Sequence, residues 1–378
     1  MKTYATTRRV ESEPKRSGPS VVRRVTLADV ARQAGVSRVT ASEVLNDRPN
    51  CWAAETTRER IRKAAKGLGY RPNLTARALR LGRTHVIGLI SPGFLLYSPH
   101  SRADGLTDAA AKADYTVTLS SHPNDSESED KVIRRFLDRG IDGLAIYPVD
   151  HGSHTELRNL VESGFPVVTF EGANVLDFAC DDVSVDCREV GRLQARHLLD
   201  LGMRRICLAN VMTLSRMSRI NTLREDAIRE ELVRAGAPPP LDMHLPVSDT
   251  RELPEAGMLE AVMRTFLKEQ GENLDGIIGG DHTGVLAIRL LHELGLRVPG
   301  DVAVIGGGTT LLTDYCEVPM TSVNAENDVA GATAFGLLMD RISGRTNGTY
   351  RRLVNPARLI VRKSTQGLGP RICAGGTI

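Results

Sequence analysis

Residues 26–45, TLADVARQAGVSRVTASEVL, carry a pattern that leaves the backbone few choices. Thr26 is a capping residue, and Asp29 stands three positions on, where a carboxylate reaches back to the free amides of a helix start. Leu27, Val30, Ala31 and Ala34 then fall at the i, i+3, i+4, i+7 spacing of one apolar helix face. Gly35 breaks that helix and Ser37 is a fit cap for another. Over 38–45, Ala41, Val44 and Leu45 take one side, and Arg38, Val39, Ser42 and Glu43 take the other. Helix, glycine turn, helix with a polar outer face is the helix-turn-helix plan, whose second helix enters a DNA major groove.

The surrounding residues fit a small all-α head over 23–71. A third helix is predicted over 56–68, with Ile61, Ala64, Ala65 and Leu68 inward and Arg58, Arg60, Arg62, Lys63 and Lys66 outward, against phosphates or water. Charge separates with it. Residues 1–84 hold 19 Lys and Arg against 7 Asp and Glu, whereas the remainder holds 30 against 39. A basic head on an acidic body suits a phosphate-binding module joined to a domain that does not touch nucleic acid. Residues 1–22, rich in Pro, Ser and Arg, read as a disordered basic arm. Trp52, the only tryptophan, is expected to pack locally.

After the head, GYRPN places Pro72 where it disfavours helix at Arg71, and Asn73 can cap two turns over 74–81. Eight residues are too few to be helical alone in water, so the 72–84 segment reads as a hinge that orders only against a partner.

From residue 85 to 366, short apolar runs alternate with helical patterns. HVIGLIS, TVTLS, DGLAIYP and PVVTF form one series, and RICLAN, DGIIGGD and DVAVIGG a second. Such alternation predicts an α/β body of two parallel-sheet lobes with helices on both faces. The expected bounds are 85–202 with 324–355 for one lobe, and 203–323 with 356–366 for the other. Residues 367–378 form a tail. Ligands of open α/β sheets bind beyond the carboxyl ends of the strands, which here carry Ser91, Glu171, Asn210, Asp281 and the 306–310 loop.

Other classes fit less well. No apolar run approaches the roughly 18 to 20 residues that span a bilayer, and the basic N-terminus has no apolar signal core. The six cysteines include no CxxC pair, which predicts reduced thiols and neither a metal site nor a structural disulfide. A cytoplasmic, nucleoid-associated protein is expected. GGDHTG and IGGGTT lack the spacing of nucleotide-binding loops, and His151, His154, Asp281 and His282 form no recognisable catalytic set, so no enzyme activity and no cofactor are expected.

The two separated motifs, TLADVARQAGVS and the GYRPN hinge with its short Ala- and Leu-bearing helix, together resemble the lactose-repressor (LacI/GalR) family. The order of elements over 86–365, closing with PARLIVRKST, resembles that family's effector domain of periplasmic-binding-protein fold. The resemblance implies a homodimer on a near-palindromic double-stranded operator. Ser37, Arg38, Val39 and Ser42 are then expected to meet bases, with Glu43 beside them, Thr40 and Asn46 on phosphates, and Thr26 also among the DNA-binding residues. The resemblance also implies a minor-groove wedge at Leu79 with Asn73, Ala76 and Arg77 beside it. Glu43 stands where the family often presents an arginine, and a carboxylate accepts from cytosine rather than donating to guanine.

For the body, the resemblance assigns a small-molecule effector, a sugar or related metabolite, to a pocket including Glu171, Arg219 and Asp281, to which the strand-end rule adds Ser91. Carboxylates and a guanidinium at fixed places suit hydroxyls or an anionic group. GGGTT replaces a usual aspartate pair and Thr222 a usual glycine, and both changes point away from a simple hexose. The expected function is a transcriptional regulator, read as a repressor, controlled by that effector. An architectural DNA-binding protein without effector, and an enzyme fused to a DNA-binding head, are the alternatives.

Overall fold

The computed structural model describes residues 25–46, 48, 51–71, 78, 82–91, 99–123, 125–213, 219–247, 256–346 and 348–367. The chain divides into two compact units, 1–82 and 83–378. Asn73, Ala76, Arg77 and Leu79 of the expected hinge lie outside the described residues.

The head is built from α1 (Leu27–Ala34), α2 (Arg38–Leu45) and α3 (Glu55–Leu68). The capping box forms as its residue types require: Thr26 N donates to Asp29 Oδ2 at 3.0 Å, and Asp29 N donates to Thr26 Oγ1 at 3.3 Å. Gly35 takes φ 63°, a left-handed conformation that costs a residue without Cβ little, and turns the chain into α2. Val30, Ala31, Ala34, Ala41, Val44, Cys51, Ile61, Ala64 and Ala65 close one core among the three helices.

Two expectations for the head are corrected. Trp52 does not pack locally; it is 99% exposed. Its loop is held by Arg58, whose Nε donates to Ala53 O at 3.0 Å and whose Nη2 donates to Cys51 O at 2.7 Å. Arg58 is therefore committed to the fold. Arg60, Arg62, Lys63 and Lys66 are exposed.

The second unit holds two six-stranded sheets. The first takes β1 (Val86–Ser91), β2 (Thr116–Ser121), β3 (Gly143–Ile146), β4 (Val167–Phe170) and β5 (Asp181–Val185), with α4 (Pro99–Lys112), α5 (Ser126–Asp138) and α6 (Thr155–Glu162) between them. The chain then crosses into α7 (Cys187–Asp200) and builds the second sheet from β6 (Ile206–Thr213), β7 (Leu241–Val247), β8 (Gly276–Gly279), β9 (Ala303–Gly306) and β10 (Thr321–Asn324). Its helices are α8 (Arg219–Arg234), α9 (Ala256–Gln270), α10 (Asp281–Glu293) and the short α11 (Leu311–Tyr315). A second crossing leads to α12 (Asn327–Ile342) and β11 (Arg352–Asn355), which returns to the first sheet, and a third to β12 (Arg358–Ile360) on the second.

The strand orders are β11-β5-β4-β3-β1-β2 and β12-β10-β9-β8-β6-β7. All pairings are parallel except β10 with β12. Each order reverses direction at one place, between β1 and β3 and between β6 and β8, the switch points where such sheets open a crevice.

One boundary differs from expectation. The expected first lobe includes residues 187–202, but Ala195, Leu198 and Leu199 of α7 pack with Ile206, Leu208, Ile278 and Ile305 of the second sheet. An apolar helix stripe shows that a sheet will be covered, but not which one.

Two close helix crossings fix the parts that matter for binding. A Cβ on Gly331 of α12 would lie 2.0 Å from Arg102 O, and one on Gly105 of α4 would lie 1.9 Å from Asp328 O, so α4 and α12 touch backbone to backbone. In the second lobe a Cβ on Gly191 of α7 would lie 2.2 Å from Arg224 O of α8. Each crossing sets the depth of an arginine.

Candidate nucleic-acid interface and effector cleft

Helix α2 presents its outer face as a reading surface should. Ser37 caps it by accepting from Thr40 N at 3.0 Å, and its hydroxyl lies 2.8 Å from Thr40 Oγ1. Asn46 closes the other end, donating from Nδ2 to Ser42 O at 2.6 Å. Ser37, Thr40 and Asn46 thus first hold the helix. Arg38 is exposed, Val39 is 66% exposed, and Ser42 and Glu43 are half-buried. The side chains of Arg38 and Glu43 have no partner among the described residues, so both are available to base edges.

In the first lobe, Ser91 ends β1 and is buried. Glu171 follows β4 with φ 62°, a left-handed conformation unusual for a side-chain-bearing residue and enriched at functional sites. That turn aims its carboxylate inward, where it accepts from Arg102 Nη2 at 2.8 Å and from Val185 N at 3.1 Å. Arg102 Nε also donates to Asn327 Oδ1 at 2.8 Å. The guanidinium lies 5.7 Å from the Tyr147 ring centroid and 5.6 Å from that of Phe170, and the two rings stack at 4.7 Å.

Burial pulls the Arg102 pKa down, but Tyr147 and Glu171 more than offset it and hold the cation above its ordinary range. Burial also lifts the Glu171 carboxyl, with Arg102 opposing. The Tyr147 hydroxyl, pushed up to about 12 by burial, has no partner among the described residues. It follows β3 at the switch point beside Ser91.

In the second lobe, Asp281 opens α10 and is spent on a loop: Oδ1 accepts from Gly308 N and Oδ2 from Thr310 N, both at 3.0 Å. Arg219 is exposed at the start of α8. Five residues on, half-buried Arg224 donates to Asn221 Oδ1 at 3.1 Å, and burial pulls its guanidinium below the ordinary arginine range. Glu171 and Asp281 thus stand at the strand ends that the sequence indicates, each holding other protein groups. Arg102, Tyr147, Arg224 and Asn327 were not anticipated; no local pattern distinguishes them from other polar residues on helices and loops.

Next to Arg224, Glu225 is 4% exposed and its Oε1 has no partner among the described residues. Burial raises it from 4.5 to about 7, with Arg224 and Arg229 opposing. A raised folded-state value means that the folded chain binds a proton which the unfolded chain has already lost. Its contribution to stability is complete below about pH 4.5 and is lost as pH rises to about 7. Glu225→Gln is expected to flatten that part of the stability profile, measured as urea midpoints at pH 5 and pH 8; an unchanged slope would acquit Glu225.

A three-helix DNA-reading head and a two-sheet α/β body with carboxyl-end switch points define an effector-responsive class of DNA-binding protein. Comparison with known proteins agrees. Residues 26–73 match "Bacterial regulatory proteins, lacI family", and residues 195–365 match "Periplasmic binding protein-like domain". An HTH-type transcriptional regulator from the aml 5' region of Streptomyces limosus is 31% identical over 93% of this chain and 97% of its own length. The regulator CelR of Thermobifida fusca is 32% identical over 90% and 98%. Among solved structures, a CelR–cellobiose complex covers 90% of this chain and 100% of its own, with 28% identity and a TM-score of 0.62. A lac repressor dimer bound to operator and an anti-inducer covers 91% and 99%, with 22% identity and a TM-score of 0.74, a likeness of fold. The chain belongs to the lacI family of bacterial transcriptional regulators. Among the described residues, no helix is long and apolar enough to cross a membrane.

Proposed function

We propose that the chain is a cytoplasmic, nucleoid-associated repressor without catalytic activity, which binds a near-palindromic operator as a homodimer and releases or tightens its grip when a small molecule occupies the body. The exposed Arg38, without a side-chain partner among the described residues and carried on a firmly capped α2, supports the DNA-reading half of this proposal. Ser37, Arg38, Val39, Ser42 and Glu43 face bases, while Thr26, Thr40 and Asn46 lie toward the backbone. Asn73, Ala76, Arg77 and Leu79 are assigned to the hinge and its minor-groove wedge. The apolar surface of Leu311, Leu312 and Tyr315, 74%, 52% and 84% exposed, supports pairing with a second copy.

In the body, Ser91, Arg219, Glu171 and Asp281 are assigned to the effector site, the last two chiefly as the groups that hold Arg102 and the 306–310 loop in place. The cellobiose held by CelR makes a sugar or sugar-derived metabolite the natural starting class.

Arg38→Ala tests the reading face. The exchange is expected to cost about 1–3 kcal/mol on the preferred duplex and to relax selectivity at one base position, measured by selection from randomised duplexes at fixed salt. An equal loss on every sequence would make Arg38 a phosphate contact only.

A further inference from the structure

Among the described residues, one half-buried cation of the second lobe, Arg224, has no ion-pair partner. Arg224 pairs with no carboxylate among the described residues; its hydrogen bond goes to the neutral Asn221. The nearest acids are otherwise engaged or weakened. Both oxygens of Asp281 accept backbone N–H groups, and the Glu225 carboxyl is held near neutrality by burial.

The position of the cation is equally specific. A Cβ on Gly307 would lie 2.5 Å from Arg224 Nη1 and 3.4 Å from Gln194 Nε2, so the guanidinium rests against the bare backbone of the loop after β9. That loop, Gly-Gly-Gly-Thr-Thr, supplies no side-chain charge. Beside it are two buried acceptors without partners among the described residues: Oε1 of the fully buried Gln194, whose Nε2 donates to Gly306 O at 2.9 Å, and Thr310 Oγ1. Buried polar atoms are seldom left unsatisfied, and a half-buried guanidinium without a counter-ion is costly. A ligand with an oxyanion for Arg224 and hydroxyls for both Gln194 and Thr310 satisfies all three.

We propose that the second lobe contains a ligand subsite around the 306–310 loop in which Arg224 binds an oxyanion while Gln194 Oε1 and Thr310 Oγ1 bind hydroxyls, and that the effector is an acidic hydroxylated metabolite, a sugar acid or a sugar phosphate. The inference rests on the effector reading above and narrows it. Asp281 positions the loop. Gly307 gives the guanidinium its room.

The test follows thermal unfolding of the full chain in three titrations at constant ionic strength: inorganic phosphate, gluconate and neutral cellobiose. Wild type is expected to gain a few degrees, saturating in the millimolar range, with phosphate or gluconate, and the arm that responds distinguishes phosphate from carboxylate. Arg224→Met should melt at or above the unliganded wild type, since it removes an unpaired cation, and should lose the gain. Gly307→Ala keeps the charge but displaces Nη1, and should reduce the gain at least tenfold in apparent affinity. Equal anion responses in wild type and Arg224→Met would overturn the subsite. So would stabilisation by cellobiose alone, which leaves the effector reading standing. No response to any of the three would count against both.

Discussion

Replacing Glu171 by alanine is expected to lower the stability of the body by about 3–5 kcal/mol, the usual cost of stranding one partner of a buried ion pair. The side chain it abandons is Arg102, almost wholly buried, with its second hydrogen bond to Asn327 and its faces against Tyr147 and Phe170. Neither partner can turn to solvent, because the close α4–α12 crossing fixes Arg102 and the left-handed backbone fixes Glu171. Urea unfolding of Glu171→Ala, Arg102→Met and the double variant would measure the coupling directly. The double variant should recover much of the loss, since it strands no charge. A single-variant cost below about 1 kcal/mol would mean that water reaches the pair and screens it as it does a surface bridge.

The same network marks where the sequence stops being readable. Short-range signals survived folding: Thr26 with Asp29, Gly35 and Ser37 bound the first two helices as their chemistry demands, and the apolar runs became strands, most of them central and TVTLS the edge strand β2. Glu171 and Asp281 stand at strand ends, as expected from their place after PVVTF and DGIIGG. Their partners come from elsewhere. Arg102 precedes Glu171 by 69 residues and Asn327 follows Arg102 by 225, distances over which no periodicity carries information. The assignment of α7 failed for a related reason, because both sheets offer an apolar face and only the crossing at Asp186 decides between them. Trp52 was misjudged by the ordinary rule that large aromatic residues bury themselves; two hydrogen bonds from Arg58 hold its loop outward.

Replacing Ile61 by alanine is expected to abolish high-affinity DNA binding without altering any DNA-facing residue. Ile61 is fully buried where α3 meets α1 and α2. An isoleucine-to-alanine exchange in such a position costs about 2–5 kcal/mol, while a core this small supplies only a few kcal/mol in total. The head would then be largely unfolded, and apparent affinity falls in proportion to the folded fraction. In the proposed dimer both heads must be folded, so the penalty applies twice, and a loss of about 10- to 1000-fold is expected. The body is a separate compact unit with its own cores, and its thermal transition should not move. Calorimetry with parallel binding measurements separates the two effects. Affinity within threefold of wild type would mean that α2 is held for reading by something other than the packing of these three helices.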